Sequence, residues 1–234
     1  MSCPLIANAD TMRLTRVDGC GRPICGDDSA FVFDCFAKLS MNANVDEGDD
    51  VEYKAANGRV CGFKRGCPSF KGYDVELDFF SVSPELIEIA TGNPVVYGFD
   101  GKPIGYDDCS VRCNGGFALE LWAEVLGEDV CKTTSGGHGA WIYFLLPWVS
   151  NGRLGDLEIG SEAASLTLTG ATRASGAWGV GPYNVVAVDA AGMAGPMLTP
   201  LGANCHRRTF LTTIAPPAAT CAYAPVTGPP CLAS

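Results

Sequence analysis

The chain has 234 residues, of which 47% are hydrophobic and 18% charged, with a formal net charge of -10. That is enough apolar material for a real core, and the composition is not that of a disordered chain. The acidic residues crowd before Val130, where they outnumber the basic ones about two to one, and no clustered Lys/Arg face of the kind that holds nucleic acid is present.

In chain order, residues 1–30 read as an N-terminal segment. The opening MSCPLIANAD has neither a basic nor an apolar leader region, so no secretory signal is expected and the protein is expected to be made in a cytoplasm. Leu39, Met41, Ala43 and Val45 alternate with Ser40, Asn42 and Asn44, which predicts a strand with one wet face. Residues 46–68 change character. An acidic run with Asp46, Glu47, Asp49 and Asp50 precedes a turn-like AANG, and Lys64 and Arg65 form a basic patch. This reads as a long loop leaving the sheet, with opposed charges suited to orienting a neighbouring copy.

Tyr73, Val75, Leu77 and Phe79 then alternate with Asp74, Glu76 and Asp78, predicting a second strand with a carboxylate-bearing face. A short helix follows: Ser83 suits its N-cap, Pro84 and Glu85 suit its first turn, and Gly92 ends it. Phe117, Leu119, Leu121, Ala123 and Val125 alternate with Glu120, Trp122 and Glu124, so Glu120 and Glu124 are expected on a wet face. WIYFLLPWV, SLTLTG, YNVVAV and RTFLTTI are further strand candidates. The apolar run from Ala140 to Val149 holds Pro147 and is about half the length of a membrane helix, so no membrane insertion is expected. Residues 215–234, Pro-rich and uncharged, read as an extended tail. With Gly 29 and Pro 15 spread between short apolar runs, a single mainly β domain over 1–234 is predicted.

Recognisable chemistry is missing. The chain has Cys 12 but no C-x-x-C pair, so no metal is expected. Buried thiols and disulfides formed after release from a reducing cell both remain open, with Cys20/Cys25 and Cys109/Cys113 the best pairs on loop closure alone. Ser135 and Ser175 lack the first glycine of a nucleophile elbow, and the Gly179–Pro182 stretch GVGP lacks the third glycine of a dinucleotide fingerprint. His138 could pair with Cys131 as base and thiol, but no orienting third group accompanies them. No catalytic residue, cofactor or metal is assigned, and an enzyme is not expected.

Five segments carry a family likeness: RLTRVDGCGRP (Arg13 to Pro23), CPSFKGYDVELDFFSVSPEL (Cys67 to Leu86), GFALELWAEV (Gly116 to Val125), LTLTGATRASGAWGVGPYNVV (Leu166 to Val186) and LTTIAPP (Leu211 to Pro217). In this order the chain resembles the major tail proteins, the tail-tube subunits, of long-tailed phages that infect actinobacteria. The resemblance implies a tail-tube-type β-sandwich or barrel with one short flanking helix and a long inter-ring loop. It also implies hexameric rings stacked into a tube around the tape-measure protein, ended by tail-terminator and distal tail proteins, in a virion tail assembled in the host cytoplasm. Double-stranded DNA would pass transiently through the tube. Asp74, Glu76, Asp78, Glu120 and Glu124 are then the candidates for its wall. The alternative reading is a virion-borne carbohydrate-binding or adhesive β-sandwich, which exposed aromatics grouped on one face would favour.

Overall fold

The computed structural model describes residues 5–80, 83–109, 114–126, 141–155 and 165–228. The chain begins with β1 (Leu5–Val17), β2 (Gly26–Phe33) and β3 (Phe36–Asp46), followed by a small hairpin of β4 (Val51–Lys54) and β5 (Val60–Lys64). Next come β6 (Ser69–Phe79), helix α1 (Pro84–Thr91), a second small hairpin of β7 (Val95–Tyr97) and β8 (Pro103–Tyr106), then β9 (Gly116–Leu126) and β10 (Trp141–Leu154). The remainder holds β11 (Leu166–Thr172), the short pair β12 (Val186–Ala187) and β13 (Ala194–Gly195), then β14 (Arg208–Thr212) and β15 (Tyr223–Val226).

One sheet dominates, in the order β15-β2-β1-β9-β10-β11-β6-β3, and β14 joins it by pairing with the first half of β10. Every pairing in it is antiparallel. Register follows side-chain chemistry: Leu39 lies opposite Leu77 and Met41 opposite Val75, while Ser40 faces Glu76 and Asn42 faces Asp74. A slip by one residue would expose all of these apolar groups together. Pro147 falls at the register shift between Leu146 and Val149 in the β9–β10 ladder, a place where a missing N–H costs no ladder bond.

The sheet curls over itself without closing into a barrel. Phe31 and Phe33 of β2, near one edge, share a core with Leu77 and Phe79 of β6, next to the other edge. Two residues, Asp34 and Cys35, suffice to carry the chain from β2 to β3, and the Phe33 and Phe36 rings lie 5.9 Å apart. Inside the curl sits α1, with Leu86, Ile89 and Ala90 in the same core. Its ends are as its sequence demands: Ser83 is extended at the N-cap, Pro84 opens the first turn, and Gly92 closes it in the left-handed region at φ 81 with its N–H on Glu88 O. Ser83 Oγ donates to Glu85 Oε2 at 2.6 Å instead of capping the backbone. Gly152 of β10 lets the helix approach, because a Cβ there would run into the Ala90 carbonyl.

A second core lies on the opposite face of the central strands. Val17, Ala118, Trp122, Tyr143, Leu145 and Trp148 are covered there by Trp178, Val185, Met197 and Leu201 from the largely irregular segment after β11. Strands β1, β9 and β10 are therefore buried on both faces. The C-terminal region departs from the expected free tail: β15 pairs with β2, Val226 is buried, and Tyr223 packs against the first core. An edge strand can be recruited by main-chain pairing alone, so it leaves little hydrophobic pattern to read. Among the described residues no helix is long and apolar enough to cross a membrane.

Candidate functional site

The carboxylates of β6 stand on the polar side of the curled sheet. Asp74 is exposed, while Glu76 and Asp78 are half-buried between the polar residues of β3 and β11. Each is tied in by a neighbour or lies beside one. Asn44 Nδ2 donates to Asp74 at 3.3 Å, and Thr167 Oγ1 donates to Asp78 at 2.6 Å. Asn42, Asp74, Glu76, Asn151, Arg153 and Thr169 line a shallow groove across these strands. Its one cation, Arg153, has Nε on Thr169 Oγ1 at 3.1 Å. The face is thus polar and net acidic, and it offers no cluster of donors that would hold a phosphate.

Glu120 is elsewhere. It is fully buried, and its carboxylate accepts from Arg13 Nε and Nη2 at 2.6 Å each and from Tyr143 OH at 2.6 Å. The Arg13 guanidinium carbon lies 3.2 Å from the Tyr183 ring centroid and 5.1 Å from that of Trp122. Tyr183 OH in turn meets Thr15 Oγ1 at 2.8 Å. Burial pushes the Tyr183 phenol up to about 12 and raises the Tyr143 phenol as well. Burial opposes the Arg13 charge, and Glu120 outweighs it, so Arg13 stays charged. The expectation that Glu120 faces solvent is corrected, since its side of β9 lies beneath the segment carrying Trp178 and Tyr183. Glu124, four residues on, is exposed opposite Trp141 near the far end of the strand. Arg13 was missed by sequence reasoning, although a lone cation between Met12 and Leu14 was a usable signal.

The expected 46–68 loop is mostly a hairpin. Asp46 is the last residue of β3, paired with Ser69, and β4 and β5 extend the structure beyond it. Asp46 forms an ion pair with Lys71 at 3.4 Å, and the Gly48 N–H with Lys71 holds its carboxyl below the usual range. Glu47 and Asp49 are exposed, while Asp50 Oδ1 accepts the Gly66 N–H at 2.7 Å. Lys64 and Arg65 are exposed and enter no ion pair among the described residues. Every residue of β4 and all but one of β5 are exposed, yet Val51, Tyr53, Val60 and Phe63 are among them. The hairpin's root is firmly held. Phe70 packs on Tyr73 and His206 at 5.0 and 5.2 Å, and Gly72, at φ 135, gives Thr172 and His206 the space a Cβ would occupy. Burial lowers the His206 pKa.

The cysteines do not pair as expected. Cys25 is in a disulfide, but Cys20 is an exposed free thiol. The turn between them is closed by hydrogen bonds instead, with Asp18 Oδ1 accepting from the N–H of Cys20 and of Arg22. Cys109 is also free, which excludes the pair with Cys113, a residue outside the described ones, as are Cys131, Ser135 and His138. Ser175 Oγ donates to Cys20 O and accepts from Ala177 N, a turn-forming role, and Gly179 and Gly181 close successive turns. Among the described residues no three His, Cys, Asp or Glu side chains gather as a metal site would require. No protein-family profile matches the chain, and no curated protein matches it.

Proposed function

We propose that the chain is the tail-tube subunit of a long-tailed phage, a structural protein whose hexameric rings stack around the tape-measure protein and later conduct DNA. The observation that carries this reading is the β4–β5 hairpin, which projects with both faces exposed while bearing four large apolar side chains. A two-stranded hairpin is marginal in water by itself, so this one calls for a partner surface. The eleven-residue edge strand β3 adds to the case, because an uncovered edge of that length invites main-chain pairing with another copy. Pairing around a ring closes, and stacking through the hairpin does not, which together give a tube. The five family-like segments supply the identity of the assembly.

Asp74, Glu76, Asp78 and the exposed Glu124 are the wall residues of this reading. A carboxylate face repels a polyanion over about 8 Å at physiological salt, enough to keep DNA from lodging. Tail-terminator and distal tail proteins then cap a tube assembled in the host cytoplasm, and no residue acts as a catalyst. Light scattering of the protein against concentration tests the proposal: mass should climb beyond a hexamer, and a constant monomer mass, with the protein missing from the tails of its virion, would overturn it.

One observation favours the adhesive reading. Tyr97, Phe99 and Ile104 stand exposed on the β7–β8 hairpin, as side chains that stack on a sugar would. Binding to a glycan array by a protein that stays monomeric would support it over the tube.

A further inference from the structure

Cys25 stands at the head of β2 and is bonded to another cysteine, while the seven other cysteines among the described residues are free thiols. Its partner is therefore one of the four that lie outside the described residues, Cys3, Cys113, Cys131 or Cys231. Chain reach decides between them. The Ile24 N–H donates to Arg16 O at 2.9 Å, which fixes Cys25 beside the C-terminal end of β1. Leu5, at the other end of β1, lies about 36 Å away along the strand, and Leu126 is paired with Leu5. Cys3, two residues before Leu5, recovers at most about 7 Å of that distance, and Cys131, five residues past Leu126, about 18 Å. Neither arrives. Cys113 is close in sequence to Gly116, at the right end of the sheet, but a tryptophan separates it from Cys25. Trp148 Nε1 donates to Gly115 O at 3.3 Å, and the other side of the same ring closes on Gly21, where a Cβ would lie 2.9 Å from Cε3. Val226, in contrast, pairs with Gly26, the residue next to Cys25, and Cys231 is only five residues further on.

We infer that Cys25 is cross-linked to Cys231, and that the bond is a redox latch fastening the C-terminal strand β15 to β2. The inference does not depend on the tube reading. Without the bond, β15 is held by little. It has four residues, its ladder with β2 shifts register between Ala224 and Val226, and Pro225 has no N–H to give. The Tyr223 hydroxyl adds a hydrogen bond to the Glu88 carboxylate, which also accepts Arg16 Nη2 at 2.7 Å. Closing the latch takes an oxidant such as glutathione disulfide. One cysteine thiolate attacks it and expels a glutathione thiolate, and the other cysteine then displaces the second. Two protein thiols thus lose two protons and two electrons, and the oxidant takes up both electrons as two glutathione molecules. In a reducing cytoplasm the pair stays open and β15 relies on its few contacts; in an oxidising medium the latch closes.

Mass spectrometry of the full chain tests the bond. The protein is incubated with glutathione disulfide, alkylated, and cut with chymotrypsin without reduction, which leaves the four candidate partners on four different peptides. A linked pair of the Thr15–Phe31 and Ala224–Leu232 peptides is expected, and Cys25→Ser should abolish it. Recovery of Cys25 alkylated, or bonded to a peptide carrying Cys3, Cys113 or Cys131, overturns the inference. Hydrogen exchange then reads the latch itself, because strands at the weakly held end of a fold open locally. The amides of Tyr223, Ala224 and Val226 should exchange at least tenfold more slowly in the oxidised protein than after reduction with dithiothreitol, and Cys231→Ser should erase that difference. Equal exchange in the two states, or a difference that survives in Cys231→Ser, shows that the bond is no latch.

Discussion

The Arg13–Glu120 pair shows what a charge must have around it to be buried. Two fork hydrogen bonds, the Tyr143 hydroxyl and the Tyr183 ring together replace the water that both ions lose. Glu120→Ala leaves the guanidinium uncompensated and should cost about 3–5 kcal/mol in urea unfolding. Replacing both, Arg13→Met with Glu120→Leu, should recover most of that; a single variant as stable as the native chain would contradict the buried pair. The neighbouring phenols set an alkaline limit. Tyr183 titrates at about 12 in the fold but near its ordinary value of 10.0 when unfolded, so its contribution is complete below about pH 10 and is lost as pH rises toward 12. Absorbance at 295 nm should show these tyrosines ionising together with unfolding and not before it. Alternation in the sequence placed Glu120 and Glu124 on one side of a strand, and that is so. Which part of that side is covered depends on the segment after β11, whose turns carry no periodicity to read.

At the scale of elements, the helix and the strands β3, β6 and β9 were legible because their patterns are local: a proline and a glycine at the right ends, and apolar residues two apart. The hairpin was legible as an excursion but not as a pair of strands, since Val51, Tyr53, Val60 and Phe63 do not alternate against a single buried face. The edge strand β15 was missed for a related reason, with only Val226 and Tyr223 to betray it among prolines. Because the hairpin buries little of itself against the rest of the chain, it should be removable. Deleting Asp49 to Gly58 should leave the urea midpoint of the sheet nearly unchanged while abolishing stacking. Tubes of normal length from that protein would show that the hairpin is not the stacking element.

For the whole molecule, the division of charge is the feature with functional reach. The buried Glu120 leaves Asp74, Glu76, Asp78 and Glu124 as the carboxylates of the proposed wall, outnumbering the cations beside them, Lys38 opposite Asp78 and Arg153 in the groove, and a conduit for DNA needs such a net acidic wall. Asp74→Lys with Glu76→Lys should assemble yet slow DNA ejection, more so at low salt, because phosphates would exchange their counterions for the new lysines at every ring. Ejection at the native rate from fully assembled variant tails would move the wall to another face. Copies of the chain should build a tube, and electron microscopy of the concentrated, purified protein shows whether they do. Sixfold rings and stacks of rings with a central channel are the expected result; a field of uniform single particles the size of one chain would overturn the tube.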